Sequence, residues 1–184
     1  MNTVEIIAQT VSIFGMACNV LSFQQKTQKR VIACQLAGAS LFTVSYLLLG
    51  AYVGALLNFV AIIRAIVYMY KEKFRSEKLS WLIGFTAVYL LSYLLTFTVF
   101  GKDFTLLNAV IEFLPIIGMF ATTVSFRLKD AASVRKLGLA YSVPSWLIYN
   151  IFNFSIGGII CEIFCGCSIL IGMIRLDRKK KDAK

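Results

Sequence analysis

Eight charged or amide side chains within largely apolar stretches are candidates for chemistry: Asn19, Asn58, Arg64, Asn108, Glu112, Asn150, Asn153 and Glu162. Amide, carboxylate and guanidinium groups are costly to hold in hydrocarbon, so their presence marks internal pairing, a solute path or a proton relay. Depth sorts them: at 1.5 Å per residue from the predicted outer helix ends, Asn58 lies about 9 Å down, Glu162 about 11 Å, Glu112 about 12 Å and Arg64 about 18 Å. Asn108 and Glu112 are spaced i, i+4 and share one helical face. A protonatable carboxyl in such a layer suits proton coupling, which makes Glu112 and Glu162 candidate proton carriers. Arg64 either pairs with Glu112 or Glu162 or snorkels toward the basic edge at Tyr70 and Lys71. Trp146, deep within SWLIYN, either packs or stacks on a sugar or nucleoside ring. The expected site is therefore a substrate-binding set of Asn58, Trp146, Asn150 and Glu162 beside a charge network of Arg64, Asn108 and Glu112.

Other chemistry finds no footing. The 184 residues include no His. No carboxylate pair stands in a recognisable motif, so neither a triad nor a zincin can be assembled. The glycine-containing GGIICEIFCGC lacks phosphate-loop spacing. The five cysteines, Cys18, Cys34, Cys161, Cys165 and Cys167, form no CxxC pair and read as small packing residues. The expectation is a protein that is not an enzyme and needs no metal or cofactor.

The elements that hold these residues follow from composition. With 59% hydrophobic residues, 15% charged and a mean hydropathy of +0.78, the expected solvent is a bilayer. A spanning helix needs about 20 mainly apolar residues. Seven such stretches are predicted, at residues 4–23, 31–49, 52–70, 80–100, 104–126, 134–153 and 155–175.

Charge tests that division, because Lys and Arg concentrate in cytoplasmic loops. Alternate flanks hold Lys26, Lys29 and Arg30, then Lys71, Lys73, Arg75 and Lys78, then Arg127, Lys129, Arg135 and Lys136, then the tail RLDRKKKDAK. The opposite flanks hold Lys102 alone. The asymmetry predicts an outside N-terminus and a cytoplasmic C-terminus. It also accounts for the net charge of +10 without nucleic acid. MNTVEIIAQT carries no basic residue of the kind that begins a signal peptide, so the first stretch is expected to stay as a helix.

Two segments, GMACNVLSFQQK from residue 15 and GMFATTVSFRLK from residue 118, repeat at an offset of 103 (118 − 15). Without a gap, Val31, Leu36, Tyr46 and Gly54 then recur at Val134, Leu139, Tyr149 and Gly157. Each copy covers three stretches, with 80–100 between them as a connector that carries no charge. The expected class is all-α: a polytopic membrane protein of two parallel three-helix bundles joined by a connector helix. Its units are residues 1–75, 76–103 and 104–184. Homo-oligomerisation is left open.

Three helices, a connector and three more resemble the SWEET and PQ-loop superfamily of transporters. SFQQKTQKR, SYLLLGAYVGALLNFVAIIR and the chain length resemble the YgjV-type bacterial inner-membrane proteins. The resemblance implies triple-helix bundles in the spatial order first, third, second, with a substrate path between them. It also implies substrate-binding Asn residues on the third and seventh helices. Asn58 matches that pattern by position, whereas the equivalent of Asn58 is Cys161, followed by Glu162. The Pro-Gln pair of PQ-loop proteins is absent, and the prolines are Pro115 and Pro144. The expected function is inner-membrane transport of a sugar or similar small polar metabolite. The alternatives are a non-transporting receptor or assembly factor on the same scaffold, or uptake of a vitamin precursor such as nicotinamide riboside.

Overall fold

A computed structural model describes residues 3–48, 52–99, 101–128, 130–152 and 156–178, and every element among them is helical. The order is α1 (Thr3–Ser22), α2 (Gln28–Leu48), α3 (Tyr52–Met69), α4 (Lys71–Phe74), α5 (Leu79–Thr98), α6 (Leu106–Arg127), α7 (Ala131–Leu137), a π-helical turn (Gly138–Ser142), α8 (Val143–Phe152) and α9 (Ile156–Gly172). A second π-helical segment, Met173–Arg178, extends α9. Five helices are long and apolar enough to cross a membrane: Thr3–Ser22, Gln28–Leu48, Leu79–Thr98, Leu106–Arg127 and Gly158–Asp177. Ala55–Met69 is a shorter apolar helix.

The remaining expected stretch, 134–153, is not one uniform helix. Pro144 has no N–H to give the carbonyl four residues back, and its ring crowds the preceding turn. The chain widens just before it, and Val143 N–H bonds Gly138 O in the i→i−5 pattern of a π-turn. Pro115, by contrast, lies inside α6, which continues to Arg127. Asn153, Lys129 and residues 179–184 of the basic tail lie outside the described residues.

Helices neighbouring in sequence are neighbours in space. α2 packs against both α1 and α3, and α8 against both α6 and α9. α3 meets α6, and α1 meets α9, which closes the six long rods into a ring. The order within each half is therefore first, second, third, and the expected order first, third, second is not found. Small residues bring α1 and α2 close: a Cβ on Gly15 would lie 3.3 Å from Gly38 O, and one on Gly38 would lie 3.1 Å from Gly15 O. Such close approach is what draws α2 onto α1.

α5 stands outside the ring against α6. An aromatic column along it, Trp81, Phe85 and Tyr89, reaches Tyr68 of α3 through Phe85. Large apolar side chains such as Phe14, Ile83 and Leu91 point outward and are exposed, as lipid-facing side chains should be.

Among the described residues, the three basic connections and the start of the basic tail gather at one end. Lys71 Nζ donates to Gln28 Oε1 and Leu128 O, Arg127 Nε to Glu77 O, and Arg175 Nη2 to Gln24 O. Several of the best-buried core residues lie toward this basic end, among them Val31, Ile32, Tyr68, Phe126, Val134 and Ile169, while Ala8 and Tyr89 are equally inaccessible elsewhere. Residues 103 apart are buried alike, Ser22 with Ser125, Phe23 with Phe126 and Val31 with Val134. Ser22 and Ser125 even make the same bond, each hydroxyl donating to the carbonyl three residues back at 2.6 Å.

Candidate functional site

The ring encloses a cavity of about 650 Å³, lined by α1, α2, α3, α6, α7, the first π-turn, α8 and α9, with no lining residue from α5. That volume is in the range of small-molecule sites. On α1 the lining runs from Gln9 to Asn19, ten steps or about 15 Å of helix, and continues to Phe23 just past its end. The wall is unusually polar for the inside of an apolar bundle. α1 contributes Ser12 and Asn19, α2 Gln35, Ser45 and Tyr46, and the second half Thr122, Ser142, Asn150 and Cys161.

The glycine of each Gly-Met pair makes room for an aromatic ring from the next helix. A Cβ on Gly15 would meet the Phe42 ring at 3.2 Å, and one on Gly118 would meet Trp146 at 3.0 Å. The methionines beside them, Met16 and Met119, both line the cavity. Other residues 103 apart do the same: Asn19 with Thr122, Gln35 with Gly138, Ala39 with Ser142, Leu57 with Ile160 and Asn58 with Cys161.

All four members of the expected substrate-binding set, Asn58, Trp146, Asn150 and Glu162, line this cavity. Asn150 packs on the backbone of α9, where a Cβ on Gly158 would lie 2.5 Å from its carboxamide. Trp146 stands edge-on to Tyr149, centroids 5.8 Å apart. Cys161 and Cys165, one helical turn apart on α9, both line the wall.

The expected charge network divides. Glu112 forms a salt bridge with Lys102 and not with Arg64. Asn108 donates through Nδ2 to Asp103 O at 2.9 Å, and its N–H bonds Thr105 Oγ1, the cap of α6. Neither Asn108 nor Glu112 lines the cavity; their shared face secures the connection after α5, whose Lys102 is the nearest cation.

Arg64 does line it, and is bound by neutral groups. Nη1 donates to Tyr89 Oη at 3.1 Å and Met119 O at 3.2 Å, with Thr123 Oγ1 at 3.5 Å. The Phe126 ring lies 5.4 Å from its guanidinium carbon. Tyr89 and Thr123 bond each other at 2.9 Å. Sequence reasoning missed Tyr89 because the connector carries no charge; the available signal was that a deep arginine requires hydroxyl or carbonyl acceptors nearby.

A second buried arginine lies at the basic end, where it joins α7 to the end of α9 and to the α1–α2 connection. Arg135 is 2% exposed; its Nε bonds Asp177 Oδ2 at 3.0 Å and its Nη2 bonds Asp177 Oδ1 at 2.5 Å. Nη1 bonds Phe23 O and Gln25 O at 3.3 and 3.0 Å. Gln24 Nε2 bonds Ser168 Oγ at 2.9 Å, and Ser168 Oγ donates to Val20 O. Gln28 Nε2 reaches Ser125 O at 2.9 Å. These bonds tie residues 20–28 of the first half to α6, α7 and α9.

No curated protein and no solved structure matches the chain. A family model described as a bacterial inner membrane protein matches residues 6–180, nearly the whole length. The apolar helices, the inward-facing polar wall and that match together establish that the chain belongs to the Imp-YgjV family of bacterial inner membrane proteins.

Proposed function

We propose that the protein is a carrier of a small polar solute, seated in the bilayer as seven spans, and that the cavity is its binding site. The observation that carries this reading is the wall itself: polar side chains from six rods converge on one space, while apolar side chains cover the outside. A structural or assembly protein has no need of such a space, and a packed apolar centre would have favoured that alternative.

Several features support the finer description. The α3–α6 and α9–α1 contacts correspond under the 103-residue offset, as two parallel copies related by an axis along the membrane normal require. α5 then serves as the connector that keeps both copies pointing the same way. Positive charge at the basic end favours a cytoplasmic face there, with the N-terminus outside. Access would be from the outer side while the Arg135–Asp177 lock holds the cytoplasmic end closed. A carrier likeness to the SWEET and PQ-loop group rests on this repeat plan and on Asn58, not on helix order.

The test is uptake of a labelled small-metabolite extract into proteoliposomes. At least one solute should accumulate above empty liposomes. Accumulation should be lost in Ala39→Trp or Ser142→Trp, whose indoles would fill the cavity from positions that make no cross-half bond. Uptake no better than in empty vesicles would refute the carrier reading.

A further inference from the structure

Arg64 is 7% exposed, and its guanidinium is held rigidly in the cavity wall. All of its holding bonds leave from Nη1. Nε is buried without a partner, and Nη2 donates to no described residue. Nε and Nη2 form the side-on edge of a guanidinium, where two parallel N–H groups match the two oxygens of a carboxylate.

That edge also lacks an anion. An arginine stays charged even when buried, and a buried charge needs a counter-charge as well as hydrogen bonds. Tyr89, Thr123 and the Met119 carbonyl are neutral. Of the nearby carboxylates, Glu112 is engaged by Lys102, and Glu162 forms no salt bridge with Arg64. A neutral sugar would leave the guanidinium uncompensated, because hydroxyls supply dipoles only.

We propose that the Nε–Nη2 edge of Arg64 is the recognition site for the carboxylate of a small monocarboxylate solute, which is the substrate class of the carrier. This deepens the carrier reading and rests on it. Charge favours a monoanion over a phosphate dianion: Arg64 is the one cation in the described cavity wall, and Glu162 shares the same space. Tyr89 and Thr123 act as positioning residues. They hold Nη1, so that the binding edge keeps its orientation when the site is empty.

The experiment is thermal melting of the purified full-length protein with matched ligands: propionate, butyrate, pyruvate and alanine, their amides, glucose, and inorganic phosphate. Binding to the folded state raises the melting temperature by mass action. At least one carboxylate should raise it while its amide does not. The shift should vanish in Arg64→Gln, and apparent affinity should fall at least tenfold in Arg64→Lys, which keeps charge but loses the fork. If Arg64→Gln does not fold, Arg64→Lys alone decides.

A carboxylate shift that survives in both variants, or equal shifts from acid and amide, would overturn the assignment. So would a phosphate shift matching the carboxylate's, which would mark a general oxyanion site. Glucose or an amide stabilising wild type and Arg64→Gln alike would overturn the carboxylate assignment and leave the carrier reading standing. No shift from any carboxylate also overturns it, and proteoliposome uptake then judges the carrier reading separately.

Discussion

Two buried arginines divide this molecule's work. Arg135, at the basic end, is satisfied on every side: a two-pronged pair with Asp177 and two backbone carbonyls from the opposite half. Arg64, on the cavity wall, is fastened by one nitrogen to neutral groups and meets no carboxylate. Both are nearly inaccessible. The difference teaches that burial alone does not assign a role to a membrane arginine. The assignment comes from counting which donors are already used and whether a counter-charge is present.

The largest effect should come from breaking the satisfied one. Asp177→Ala leaves Arg135 charged, buried and without its carboxylate, a change that costs about 3–5 kcal/mol when a buried pair loses one member. Melting in detergent should fall sharply, with loss of folded yield. Next in size is Gly172→Ala, in the same lock. A Cβ there would lie 2.5 Å from Phe23 O, a backbone atom that cannot rotate aside. Overpacking of this kind costs about 1–3 kcal/mol, and melting should drop accordingly.

Arg64→Met should behave in the opposite way. It removes an uncompensated charge, and the Tyr89–Thr123 bond survives without it. Stability should change by about 1 kcal/mol or less, in either direction, against the large loss for Asp177→Ala. A comparable loss in both variants would erase the distinction between the two arginines.

The smallest effect concerns the cap that starts the helix carrying Arg135. Asp130 accepts bonds from Ser133 N–H at 2.8 Å and Ser133 Oγ at 2.6 Å. Burial pushes its carboxyl up, but the bonds from Ser133 and the Ala132 N–H, with Lys136 nearby, outweigh this and leave its pKa lowered. Since the folded value is depressed, the stabilisation is present above the ordinary Asp value near 3.9 and lost as pH falls through the folded one. Asp130→Ala should cost about 1 kcal/mol near neutral pH. The gap to wild type should close in acid.

Much of this was legible in the sequence. Hydropathy located the apolar helices, and charge alternation foretold which connections would share an end. Depth arithmetic put Asn58, Glu162 and Glu112 in one layer, of which Asn58 and Glu162 line the cavity and Glu112 does not. What was not legible depends on which helix lies beside which. Hydropathy fixes the length of a helix but not its neighbour, so the order first, second, third had to be seen. For the same reason Arg64 found Tyr89 on a helix that carries no charge, and Glu112 found Lys102. Arg135 and Asp177 read as ordinary flanking charges because their pairing joins α7 to the end of α9.

The central claim is a solute-accessible cavity closed at the basic end. It is tested most directly by Asn58→Cys, made in a chain whose five native cysteines are replaced, and probed with a membrane-impermeant maleimide from each side of the membrane. Labelling from the side opposite the basic loops, with protection from the basic side and competition by a bound solute, is the predicted result. Protection from both sides would mean that Asn58 faces packed protein, and would contradict the account.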